Sequence, residues 1–183
     1  MQFSFAVRRG MARMSDAHMF VPKDASRFGR KIALEELASS HLKDALALWQ
    51  KKRGARAWPR REDLGPADMR AFLRNVTLVR AIDGGEDFEF RIAGDGMVVA
   101  YGFNPIGKRL SVFPRSFVDA SMAALTAVLR HGEPLAVKGT MEKSDIENLV
   151  QETLFLPLGA DAIDHVLVIG GFAHQFAGKS GAG

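Results

Sequence analysis

Three features of the sequence predict a mixed α+β domain built on a five-stranded antiparallel sheet. Stretches with a two-residue period fall into two groups, one before and one after a single longer helical run. The first group closes on "DGGE", a turn whose Asp-Gly and Gly-Gly pairs suit a hairpin. Strands and helices are segregated, not interleaved, which excludes an alternating βαβ chain. The 183 residues, 47% of them apolar, supply one sizeable core.

Residues 1–33 read as a flexible leader, polar and mixed, with Met11 and Met14 as alternative starts to Met1. From Leu34 the pattern changes. Leu34, Leu37, His41, Leu42, Ala45, Leu46 and Trp49 recur in steps of three and four, predicting an amphipathic helix over 34–52. Glu35 and Glu36 in its first turn and Lys51, Lys52 and Arg53 in its last suit the helix dipole, and Gly54 stops it. A linker runs to Asn75 and holds a short helix opened by Pro66, with Met69, Phe72 and Leu73 on one side.

"NVTLVRAI" and "DFEFRIAG" form the hairpin, the second strand pointing Phe88, Phe90 and Ile92 one way and Asp87, Glu89 and Arg91 the other. Residues 94–112 are short, glycine-punctuated pieces. Pro114 opens the longer helix, whose Phe117, Ser121, Ala124, Leu125 and Val128 make a small-residue face suited to lie close on a sheet; Gly132 ends it. Three strands follow. "PLAVKGTMEK" sets Leu135, Val137 and Met141 on one face, "ENLVQETLFLPL" alternates around Gln151–Phe155, and "DHVLVIGGFA" is apolar enough for a central strand. The division is therefore a leader (1–33), an N-terminal helix with linker (34–75), a sheet domain (76–172) and a flexible tail (173–183).

The absence of cysteine removes disulfides, thiolate metal sites and cysteine nucleophiles, and favours a cytoplasmic protein. No apolar run approaches the ~20 residues that span a bilayer. The net charge of +4 conceals an asymmetry: residues 1–75 hold sixteen Lys and Arg against eight Asp and Glu. Lys51, Lys52, Arg53, Arg56, Arg60 and Arg61 thus raise an alternative function, contact with nucleic acid or an anionic surface through segment 51–61. A solvated helical face is the plainer reading.

Gly102–Lys108 in "YGFNPIGKRL" satisfies Gly-x-x-x-x-Gly-Lys, the opening of a phosphate-binding loop. Such a loop needs a hydroxyl after the lysine and a helix directly beyond it. Here Arg109 takes the hydroxyl position and Pro114 interrupts any helix, so the match is coincidental.

The same stretch resembles the PAS family of sensory domains, in which a Pro-x-x-Gly-x-x-Leu segment precedes the long helix; Pro105, Gly107 and Leu110 stand here with one residue less between proline and glycine. The family's order of two strands, short helices, one long helix and three strands also fits residues 76–172. Trp49, Pro59, Arg61 and Pro66 further resemble the lead-in of a bacterial subfamily of single-PAS proteins, with Gly65 in place of an acidic residue and Arg74 in place of a proline. The resemblance covers roughly residues 40–172.

It implies short and long helices over one sheet face around an apolar cavity. Phe90, Ile92, Met97, Tyr101, Phe103, Leu110, Phe113, Phe117, Met122, Leu125, Val137, Leu154 and Ile169 are the candidates to line a small-ligand pocket there; the bland reading is a filled core. The family's flavin adduct needs a cysteine and is excluded. Haem is not expected, because His131, the histidine nearest the long helix, sits at its end as a cap. The five histidines, at 18, 41, 131, 165 and 174, share no metal-ligand spacing, and no catalytic motif is present. The expectation is a non-enzymatic sensory or adaptor protein that signals by protein contact. Leu37, Leu42, Leu46 and Trp49 would pair two copies or dock a signalling partner.

Overall fold

A computed structural model describes residues 29–144 and 147–176; the alternative starts, most of the leader, His18 and the last seven residues lie outside that range. The elements are β1 (Arg30–Ile32), α1 (Ser40–Arg53), β2 (Val76–Ile82), β3 (Asp87–Ala93), α2 (Asp95–Tyr101), α3 (Arg115–His131), β4 (Leu135–Ser144), β5 (Glu147–Gly159) and β6 (Ile163–Phe176). Single 3₁₀ turns occur at Leu34–Glu36, Arg61–Asp63, Leu73–Asn75 and Leu110–Val112.

All strands lie in one antiparallel sheet ordered β1-β4-β5-β6-β2-β3. The five expected strands are there, and β6 is central, as its apolar sequence requires. The sixth, β1, falls where a flexible leader was expected. Its three residues pair Arg30, Lys31 and Ile32 with Lys138, Val137 and Ala136 of β4. "RKI" is too short and too charged to signal a strand. At the other limit, β6 runs on to Phe176, into the expected tail.

The β2–β3 hairpin turns through Asp83, Gly84 and Gly85, all at positive φ, with the Gly85 N–H donating to the Ile82 carbonyl at 2.9 Å. On the outer edge of β3, the Phe90 N–H donates to the Lys108 carbonyl at 3.0 Å and the Phe90 carbonyl accepts the Gly107 N–H at 2.8 Å. The glycine-lysine stretch is thus spent on covering a sheet edge, and no α-helix starts directly after Lys108.

Helix segments differ in detail from the expected 34–52 and from the short helix at Pro66. The chain turns once at Leu34–Glu36, extends through Leu37 (φ −55°, ψ 124°), and only then enters α1. Glu36 accepts the Ala33 N–H at 3.2 Å, so the two glutamates do not serve the first turn of α1. After Pro66 there are turns rather than a helix, yet Leu64, Met69 and Phe72 are buried.

The sheet is covered on both faces. On one, α1 and the linker bury Leu37, Leu42, Trp49, Leu64, Met69 and Phe72 against Val76, Leu78, Leu154, Leu156, Leu158, Leu167 and Ile169. The Trp49 indole N–H donates to the Pro157 carbonyl at 2.8 Å. On the other face α2, the Leu110 turn and α3 pack on Val79, Phe88, Phe90, Phe155 and Val166. The boundary drawn at 75/76 has no counterpart in packing, because α1 and its linker form half of the first core. Leu37, Leu42 and Trp49 are fully buried by the protein's own sheet, and Leu46 is half-buried against the same cluster. They are not a surface for pairing two copies.

Leu42→Ala is accordingly expected to lower the unfolding free energy by about 3 kcal/mol, as a fully buried leucine does. Urea denaturation measures it; an unchanged midpoint would place Leu42 outside the core.

Candidate ligand cavity

Between the sheet and α3 lies a cavity of about 450 Å³. It exists because α3 presents Ala120, Ser121, Ala123, Ala124 and Ala127 toward it. The small-residue face was expected to lie close on the sheet. Instead its short side chains leave the space between helix and strands unfilled, while Leu125 and Val128 fill theirs. The volume falls within the ~300–1,000 Å³ typical of small-molecule sites.

Strand register orders the floor. One row of neighbours crosses four strands as Lys31, Val137, Thr153 and Gly170, and the next as Leu135, Phe155, Val168 and Thr77. Toward β3 the lining is apolar and aromatic: Val79, Phe90, Met97, Tyr101, Leu110 and Phe117. The Tyr101 ring meets Phe90, Phe113 and Phe117 edge-on at centroid separations of 5.8, 6.1 and 5.8 Å. Its hydroxyl lies 3.4 Å from Thr77 Oγ1, both residues buried. Burial pushes the Tyr101 phenol above its ordinary pKa, and the Thr77 contact offsets this only in part. Toward β1 the lining turns polar, with Lys31, Gln151 and Thr153. Gly29, Lys31 and Ala123 are exposed, so the space communicates with solvent.

Of the expected lining residues, Phe90, Met97, Tyr101, Leu110, Phe117, Leu125 and Val137 border the cavity. Phe103, Phe113 and Met122 pack into the surrounding cluster without reaching it. Ile92, Leu154 and Ile169 are on the opposite face, in the core under α1. For Ile92 the cause is a bulge: Leu78 pairs with Ile92 but Val79 with Phe90, leaving Arg91 unmatched and reversing the facing of Ile92 relative to Phe90. Leu154 and Ile169 sit on strands apolar on both faces, where hydrophobicity gives no parity. Thr77, Gln151, Thr153 and Phe155, with Ala120, Ala123 and Ala127 of α3, also border the cavity without having been expected there; alternation counted from Phe155 picks out Thr153 and Gln151.

Directly across the sheet from the polar row sits the start of α1. Glu152, next to Thr153, is 5% exposed and points to the α1 face. Its Oε2 accepts the N–H groups of Ala38 and Ser39, each at 3.0 Å, and Oε1 receives Lys138 Nζ at 3.1 Å. The helix has no acidic residue in its own first turn, so a carboxylate from β5 serves its positive end. Desolvation raises the pKa of Glu152, but the Ser39 N–H, the Lys138 ammonium and the Ala38 N–H together outweigh it, and the net shift is downward. A second tie runs through β6. The Gly170 carbonyl accepts His41 Nε2–H at 3.1 Å, while Ser39 Oγ–H donates to His41 Nδ1 at 2.9 Å. Beside it, Gly171 faces α1. A Cβ there would come within 3.2 Å of Leu42 Cδ1 and Ser39 Oγ, so the missing side chain admits the helix.

The basic segment is largely spent on the protein itself. Lys52 binds Asp68 at 2.8 Å and Arg56 binds Asp63 at 2.7 Å. Hydrogen bonding from Lys52 lowers the Asp68 pKa; the Arg60 N–H, foremost, and Arg56 lower that of Asp63. Arg53 stacks over Trp49 at 5.2 Å, and Arg61 donates to the Leu64 carbonyl at 3.2 Å. Lys51 and Arg60 are exposed and form no ion pair among the described residues. His131 is the last residue of α3, exposed and away from the cavity, and His165 bonds Asp164 at 2.8 Å. Among the described residues no His, Asp and Glu cluster could hold a metal, and no helix is long and apolar enough to cross a membrane.

A family model described as a PAS domain matches residues 37–173. No curated protein and no solved structure gives a significant match.

Glu152→Gln should lower stability by about 2 kcal/mol at neutral pH, the scale of lost charge-assisted hydrogen bonds. Because the folded pKa is depressed, the contribution is complete above the ordinary value of 4.5 and fades as pH falls through the folded value. Urea titrations of wild type and variant should therefore converge in acid; a gap that widens there would contradict the assignment.

Proposed function

Since the chain belongs to the PAS domain family, whose members are in general sensory and signalling modules, we propose that it is a non-enzymatic sensor that binds a small molecule between α3 and the sheet. The observation that carries this reading is the 450 Å³ cavity with its apolar depth and polar mouth.

The proposed output is the docking of α1. Thr153 and Gly170 border the cavity, while the adjoining Glu152 carboxylate and the Gly170 carbonyl hold the start of α1 on the opposite face. A ligand that shifts β5 alters the Glu152 tie and one that shifts β6 the Gly170 tie, and it biases α1 by its difference in affinity for the two placements. The signal then passes to a partner protein that reads α1 and its linker. This replaces the pairing of α1 with its copy, since the apolar face of the helix is already covered. The basic-segment reading gains no support from the paired cations at 52 and 56.

Ala124→Leu places a branched side chain into the cavity without touching the α1 face. A thermal-shift screen of small molecules should find compounds that raise the wild-type melting temperature and fail on this variant, with circular dichroism unchanged. Stabilisation surviving in the variant would remove the cavity as the sensing site.

A further inference from the structure

The cavity has a polarity gradient that the sensor reading alone does not use. At the β3 end Phe90, Tyr101 and Leu110 form a dry wall; at the β1 end stand Lys31, Gln151 and Thr153. Lys31 lies in register with Val137 and Thr153, on the cavity face, whereas Lys138 next door turns to the other face and is taken by Glu152. No ion pair engages Lys31 among the described residues, and it is exposed where the lining opens to solvent. Gln151 Nε2 donates to Thr153 Oγ1 at 3.3 Å. With its oxygen engaged as an acceptor, the Thr153 hydroxyl hydrogen is left to donate elsewhere. Among the described lining residues one cation stands beside a neutral hydroxyl and an amide, a set that suits one negative charge better than a phosphate dianion.

Resting on the sensor reading, we propose that the ligand is an amphipathic monocarboxylate. Its carboxylate meets Lys31 and the Thr153 hydroxyl at the mouth, and its hydrocarbon part lies against Phe90, Tyr101 and Leu110. β1 then has a purpose beyond closing the sheet edge: it carries a lysine that selects the head group. The short alanine face of α3 leaves the width for the chain.

Isothermal titration with octanoate and with 1-octanol, at one ionic strength, separates head group from tail. The wild type should bind octanoate at least about tenfold more tightly than the alcohol, the worth of one charge-assisted contact. Lys31→Gln should abolish most of that tenfold preference while leaving 1-octanol within about twofold, a split that a merely structural lysine would not produce. Ala124→Leu should weaken both probes. Equal binding of the two probes, or octanoate binding unaltered by Lys31→Gln, would overturn the carboxylate assignment and leave the cavity as a sensing site intact. Absence of octanoate binding to the wild type would also overturn the assignment. Octanoate binding undiminished by Ala124→Leu would overturn the assignment and the cavity reading together.

Discussion

The arrangement depends on one carboxylate. Glu152 leaves a central strand on the face away from the cavity and accepts two backbone N–H groups where α1 begins. Burying it costs desolvation, which is offset because every contact it makes favours the ionised form. Without it, the start of α1 would have unsatisfied donors over an apolar core, and the chain before α1 would lose the point at which it turns onto the sheet. The hydrophobic face of α1 supplies the larger energy. Glu152 and the Gly170 carbonyl set where along the strands that face docks.

A sheet covered on both sides makes such a site informative to the opposite face. Adjacent residues on a strand point opposite ways, so Thr153 in the cavity and Glu152 under α1 are covalent neighbours. The glycine pair of β6 does the same with no side chains: Gly170 borders the cavity and lends its carbonyl to His41, while Gly171 makes room for α1. Ligand-induced strain on either strand thus needs no long path to reach the helix. The polar mouth adjoins these residues, so the head group of a ligand and the start of α1 sit on opposite faces of the same short stretch of sheet.

Much of the fold was legible because it was written in local signals. The hairpin turn, the strand–helix–strand order, the end of α1 at Gly54 and the apolar central strand all followed from periodicity and turn residues. What escaped depended on distance or parity. The contact between Ala38 and Glu152 joins residues 114 apart in sequence, and β1 is three residues that pair only because β4 offers an edge. The bulge at Arg91 inverted the facing of Ile92, and on β5 and β6, apolar on both sides, nothing local told Leu154 and Ile169 from cavity residues. On α3 the small residues Ser121 and Ala124 signal close packing, yet with Ala120, Ala123 and Ala127 they border a cavity. Small residues permit close approach, but larger residues on the same helix decide whether it occurs.

The coupling of cavity to helix is tested most directly by amide hydrogen exchange at Ala38 and Ser39, with the cavity empty and with octanoate bound at saturation. If β5 and β6 transmit occupancy, exchange at these two amides changes by about fivefold or more, roughly 1 kcal/mol in local opening, along with protection in α3. Protection of α3 with Ala38 and Ser39 exchanging at the same rate in both states would contradict the account.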